Sequence, residues 1–120
     1  LAWQPYPGLL SAARLPLHQL ATTTNRSAAL LVTRAQQVVI AAASIVRQDD
    51  AAVLRPGSVL PTGTMWQRDL GVILVTAPVH ASDNQLIGTV GLLLPVDRSS
   101  DSRAEAVRRA ARAIRSALLR

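Results

Sequence analysis

Two almost wholly apolar runs, residues 71–79 (GVILVTAPV) and 86–94 (LIGTVGLLL), flank the polar stretch Ala81-Ser82-Asp83-Asn84-Gln85. No other feature of this chain constrains its fold as strongly. Each run has strand length, and the break carries the Ser, Asp and Asn that turns favour. The pair predicts an antiparallel hairpin. Apolar residues at successive rather than alternate positions predict central strands with at least one well-covered face. Gly88 and Gly91 interrupt the second run. A glycine inside a strand marks a bend, a bulge or a close approach by another group.

A second hairpin is predicted upstream. Residues 27–34 (SAALLVTR) form one strand, Ala35-Gln36 the turn, and residues 37–46 (QVVIAAASIV) the partner. The alanine run at 41–43 fits either a helix or a strand, and the β-branched residues on either side decide for a strand. Asp49-Asp50 reads as a polar corner. Residues 52–55 predict a short strand that stops at the turn dipeptide Pro56-Gly57. Residues 56–69 lack any period and hold Pro56, Gly57, Pro61 and Gly63, which predicts a long loop with room for one helical turn near Met65-Trp66.

Helices bracket these strands. Residues 1–8 are an irregular lead-in, because Pro5, Pro7 and Gly8 block regular structure. From Leu9 onward, Leu10, Ala13, Leu17, Leu20 and Ala21 recur at helical spacing, and Asn25 supplies a left-handed stop. Pro16, in the middle, is expected to kink that helix or start a second one. Ser99 to Ser102 offer an N-cap for a last helix from about residue 102 to 119. Its apolar stripe is Val107, Ala111, Ile114 and Leu118, with Arg108, Arg112 and Arg115 in an adjacent line and Arg109 and Arg120 farther round. Strand runs with flanking helices mean an α+β fold, an antiparallel sheet with the N- and C-terminal helices packed on one face.

Composition narrows the chemistry. With 120 residues the chain has room for one core, and residues 1–120 read as one domain. The 49% hydrophobic and 17% charged content excludes a disordered chain. Cysteine is absent, which removes disulfides and thiolate chemistry. The longest apolar run, residues 38–46, is too short for a bilayer span of ~20 residues. No basic start or cleavage pattern marks a secretory signal, and no membrane partner is expected; the cytoplasmic location expected of this chain rests on the family resemblance given below. The chain begins without Met, which suggests a piece of a longer protein. The net charge of +6 comes from thirteen Arg and no Lys, and it favours anionic partners.

No pattern of residues marks a catalytic or metal centre. The two histidines, His18 and His80, show neither HxH nor HExxH spacing, and a metal site needs three or four converging ligands. His80, Ser82 and Asp83 contain the letters of a hydrolytic triad, but three neighbours on a turn lack its geometry. Adjacent Asp49 and Asp50 point apart in an extended corner and read as solvated. Neither phosphate-loop nor dinucleotide glycine patterns occur. The expectation is a non-enzyme with no catalytic residues, no metal and no cofactor. The arginine line on the last helix reads as the solvated side of an amphipathic helix. Its alternative is contact with DNA, acidic lipid or an acidic partner, but no aromatic residues interleave and no recognition helix is visible.

The order of elements, with several local phrases, resembles the effector-binding domain of the IclR family of bacterial transcription regulators, a GAF-like fold. The phrases are Ala77-Pro78-Val79, the turn Ser82-Asp83-Asn84 and Ile87-Gly88-Thr89-Val90-Gly91. To these are added Leu17-His18-Gln19-Leu20-Ala21 with Thr22, Thr23 and Thr24, the strand Leu30-Leu31-Val32, and Arg55-Pro56-Gly57-Ser58. The family carries a longer segment, with helices walling the effector pocket, where this chain has only residues 56–69. No ligand contact is therefore carried over.

The resemblance implies a ligand-sensing module. A small-molecule effector, a carboxylate or an aromatic metabolite, would bias the arrangement of a homo-oligomer. DNA would be met only through a winged helix-turn-helix upstream of residue 1. The alternatives are a pure dimerisation scaffold with a vestigial pocket and a basic nucleic-acid-binding domain. If a pocket survives, its wall must include residues 62–68, so Thr62, Thr64, Met65, Trp66 and Arg68 are the candidate ligand residues, facing Thr76 and Thr89 on the sheet. Arg68 would anchor a carboxylate through two hydrogen bonds. Trp66 serves equally well as a plug for the core.

Overall fold

A computed structural model describes residues 6–60, 71–81, 83–95 and 101–119. Helix α1 spans Leu9–Thr24, strand β1 Ala28–Arg34 and strand β2 Gln37–Ser44. A 3-10 helix at Gln48–Ala52 follows, then strands β3 (Val72–His80) and β4 (Leu86–Pro95). Helix α2, Asp101–Leu118, closes the order. The four strands form one antiparallel sheet in the order β2-β1-β4-β3.

Both hairpins and both long helices stand where the apolar periodicity puts them. Asn25 takes the left-handed conformation (φ 55°) and its N–H donates to the Ala21 carbonyl, ending α1. On α2, Val107, Ala111 and Ile114 are buried and Leu118 packs against them. Both helices cover one face of the sheet. Leu9, Ala13, Leu17 and Leu20 of α1 share a core with Leu30 and Val32 of β1 and with Val90, Leu92 and Leu94 of β4. The opposite face buries Ala29, Leu31, Ile40 and Leu93 under Leu54 and Leu60, from the segment that follows the 3-10 helix.

Several expectations need correction. Pro16 neither breaks α1 nor starts a new helix; the element runs through it. Pro16 is buried and borders a groove with Ala106 and Ala110 of α2, and packing there offsets the lost N–H bond. Strand β2 ends at Ser44 rather than at 46, because the Val46 N–H donates to the Ser27 hydroxyl at 2.9 Å and leaves the ladder. Residues 52–55 form no strand. Asp50 belongs to a 3-10 helix, where its carbonyl accepts from the N–H groups of Val53 and Leu54. The turn delivers Leu54, fully buried, to the second core.

The first residues of the expected long loop pair with β2. The Ile40 N–H donates to the Ser58 carbonyl and the Leu60 N–H to the Val38 carbonyl, so residues 58–60 pair along the outer edge of β2. Finally, β3 is an edge strand of the described sheet, not a central one. Its apolar run has another cause: Ala77 and Val79 face the helices while Val72 and Leu74 pack on the other side.

Candidate functional site: an opening in the sheet face

The ladder between β1 and β4 ends at Leu31 and Thr89. Both strands run on past that pair, β1 to Arg34 and β4 back to Leu86. There a cavity of about 430 Å³ opens. Leu31, Val32 and Thr33 line it from β1, Leu86, Ile87, Gly88 and Thr89 from β4, and Leu74 and Thr76 from β3. Val38 and Leu60 complete the described wall. Period-two alternation places Leu31, Leu74, Thr76 and Thr89 on the face away from the helices.

Gly88 matters at this opening. A Cβ there would stand 3.3 Å from the Leu31 carbonyl oxygen and 3.4 Å from side-chain atoms of Leu30 and Leu9. Absence of a side chain lets β4 lie close to β1 and α1 just where the two strands part.

Apart from three hydroxyls, Thr33, Thr76 and Thr89, the side chains of the described lining are apolar, and none is charged. Such a wall suits an apolar body whose polar substituents meet hydroxyl groups that both donate and accept. Among the described residues no three His, Cys, Asp or Glu side chains gather as a metal site.

Of the candidate residues, Thr76 and Thr89 line this cavity together; Thr76 stands opposite Gly91 and Thr89 opposite Pro78, diagonal neighbours on one face. Thr62, Thr64, Met65, Trp66 and Arg68 lie outside the described residues, as does the helical turn expected at Met65-Trp66. Ser82 and the expected N-cap residues Ser99 and Ser100 also lie outside them. Leu31, Val32, Thr33, Val38, Leu60, Leu74, Leu86, Ile87 and Gly88 escaped the sequence reading. Strand alternation would have placed Leu31, Thr33 and Leu74 on the correct face, but nothing local reveals that β1 and β4 separate.

The remaining candidates are dispersed. His18 is exposed on α1 and His80 is half-buried at the end of β3. The Asp83 carboxylate accepts from the Gln85 N–H at 3.1 Å, as turn residues do. No described helix is long and apolar enough to cross a membrane.

Comparison by sequence finds no matching family model and no matching curated protein. Comparison by structure finds solved domains of IclR-type regulators. A targeted domain of a protein described as an IclR-family transcriptional regulator superposes with TM-score 0.73 at 14% identity, covering 92% of this chain and 97% of that one. An IclR homologue from Microbacterium hydrocarbonoxydans, solved with 4-hydroxybenzoate, gives TM-score 0.75 at 13% identity, covering 92% and 68%. The C-terminal domain of the Escherichia coli transcriptional regulator KdgR gives 0.64 at 15% identity, covering 92% and 98%. The chain therefore has the α+β fold of the C-terminal domains of IclR-type regulators.

Proposed function

We propose that this chain is the effector-binding domain of a bacterial IclR-type transcription regulator and that the opening in its sheet face receives a small metabolite. The observation that carries the reading is the cavity itself: about 430 Å³ of apolar and hydroxyl-lined space where β1 and β4 part. It lies in a fold shared with a homologue solved with 4-hydroxybenzoate. An aromatic or short-chain carboxylic acid fits this wall, its ring or chain over Leu31 and Leu74 and its polar group toward Thr76 and Thr89. The loop residues Thr62, Thr64, Met65, Trp66 and Arg68 would close the site, with Arg68 pairing the carboxylate. The role is regulatory, not catalytic, in a cytoplasmic homo-oligomer whose DNA contacts come from an upstream winged helix-turn-helix. Ligand binding favours one arrangement of the oligomer and so alters the spacing presented to DNA half-sites.

The test is a metabolite screen on a Trp3→Phe variant, which leaves Trp66 as the sole indole. A ligand bound only to the native state raises the melting temperature, and one seated under Trp66 shifts its emission at the same concentrations. Thr89→Val should weaken that ligand, and Arg68→Ala should weaken anionic ligands while sparing neutral ones. A broad screen of aromatic and aliphatic acids that moves neither signal would make the domain a scaffold with Trp66 as a plug. Sequence-selective DNA binding by this chain at physiological salt would make it a nucleic-acid-binding module instead.

A further inference from the structure

On the other side of the sheet, α2 carries Arg108, Arg112 and Arg115 along one line toward the edge strand β3. The three side chains line a cleft of about 210 Å³ with His80, Ala77 and Pro78. Glu105 is the carboxylate paired with this group. It accepts from Arg108 Nε at 3.1 Å and Nη2 at 2.9 Å, and from Arg112 Nη2 at 2.9 Å. Hydrogen bonds from Arg112 and then Arg108 hold its carboxyl below the usual range, so it is a full negative charge at neutral pH. Three guanidinium groups against one carboxylate leave two positive charges in excess.

Arg115 is the distinctive member. Its Nε is shielded from solvent and has no hydrogen-bond partner, the sole side-chain nitrogen or oxygen in that condition among the described residues. A buried donor without an acceptor costs free energy, more so when the group is charged. Were the guanidinium to turn toward the cleft, Nε–H and one Nη–H could meet the same anion in a two-point contact. Arg112 and Arg108 each keep N–H groups that Glu105 does not use.

We propose that the cleft between α2 and β3 binds a small phosphomonoester. The doubly charged phosphate group would match the surplus of two positive charges, with Arg115 and Arg112 as its principal contacts. The cleft is roomier than one phosphate group, and its Ala77 and Pro78 surface gives a small organic substituent an apolar seat. This site is separate from the opening in the sheet face and does not depend on the regulatory reading.

The experiment titrates the full chain with phenyl phosphate and with inorganic phosphate, at constant ionic strength against chloride, and follows backbone amide shifts. Phenyl phosphate should give saturable shifts at Ala77, His80 and Ala111 and leave Thr33, on β1 in the sheet-face opening, unmoved. Arg115→Gln and Arg112→Gln should each weaken it by about tenfold. Arg109→Gln, on the part of α2 that faces α1, should change nothing. Arg112 is well exposed, so that variant folds and keeps the test decisive. Equal saturation by inorganic phosphate supports the site and makes free phosphate its source. A response matched by chloride, an equal loss in Arg109→Gln or no saturable shift at all overturns the proposal, and the arginines are then a solvated helix face.

Discussion

Gly91 of β4 lies beneath Leu74 of β3 so closely that a Cβ on Gly91 would stand 3.0 Å from Leu74 Cγ and 3.1 Å and 3.2 Å from its two methyl carbons. The glycine is what allows Leu74 to lie flat across the neighbouring strand. Because Leu74 also lines the sheet-face opening, this contact joins strand packing to the shape of the candidate site. Gly91→Ala should destabilise the fold by about 1–2 kcal/mol, the usual scale for overpacking. It should also displace Leu74 toward the opening and weaken any ligand found there. Urea titration and ligand affinity, both measured on Gly91→Ala, check the two effects separately.

The apolar stripe of α2 anchors that helix to the sheet. Ile114 is fully buried. Ile114→Ala should cost about 2–4 kcal/mol through lost transfer energy and the cavity left behind. Ile114→Asp should cost more, because it buries a carboxyl without a partner. Chemical denaturation at neutral pH measures both. An Asp variant melting within a few degrees of the parent would mean that the stripe is not packed as described.

Ser27 is the one buried polar or charged residue among those described. Its hydroxyl donates to Asp50 Oδ2 at 2.8 Å and accepts from the Val46 N–H at 2.9 Å and the Arg47 N–H at 3.4 Å. The hydroxyl thus ties the start of β1 to the end of β2 and to the 3-10 helix that delivers Leu54. Ser27→Ala should cost about 1–3 kcal/mol, since it strands those partners. Hydrogen exchange should show lost protection at the Val46 amide, with β4 amides little changed beyond the global shift. Equal loss everywhere would mean that Ser27 acts through packing alone.

Glu105 sets a pH dependence. Its pKa in the folded state is lowered, first by Arg112 and then by Arg108. A carboxyl with a depressed folded pKa stabilises the protein at pH values above its unfolded pKa of about 4.3. That contribution is lost as the pH falls through the folded value. The pair is exposed, so the effect is small. A carbon-detected titration should place the Glu105 midpoint below that of an unpaired glutamate. Arg112→Gln and Arg108→Gln should each move it back up. High salt should narrow the difference.

The strand and helix pattern was legible because it is written in local periods. The runs at 71–79 and 86–94, the left-handed Asn25 and the stripe Val107, Ala111, Ile114 each follow from sequence neighbours and backbone preferences. Thr76 and Thr89 were reachable as sheet residues on one face by the same alternation. The short strand expected at 52–55 was wrong because its fate depended on Ser27, more than twenty positions away, which captures Asp50 and Val46. Pro16 starts no second helix, because its burial beside α2 outweighs the bond that proline cannot make.

The sequence by itself determined the element types, the two hairpins and the side of each helix that is buried, since these depend on interactions between residues a few positions apart. Only the tertiary structure decided where β1 and β4 stop pairing, which of the apolar strands sits at the edge, and that Gly91 makes room for Leu74. It also decided that Glu105 holds Arg108 and Arg112 but leaves Arg115 Nε without an acceptor. Each of these depends on residues distant in the chain meeting at a particular register and angle, and no local period encodes that meeting.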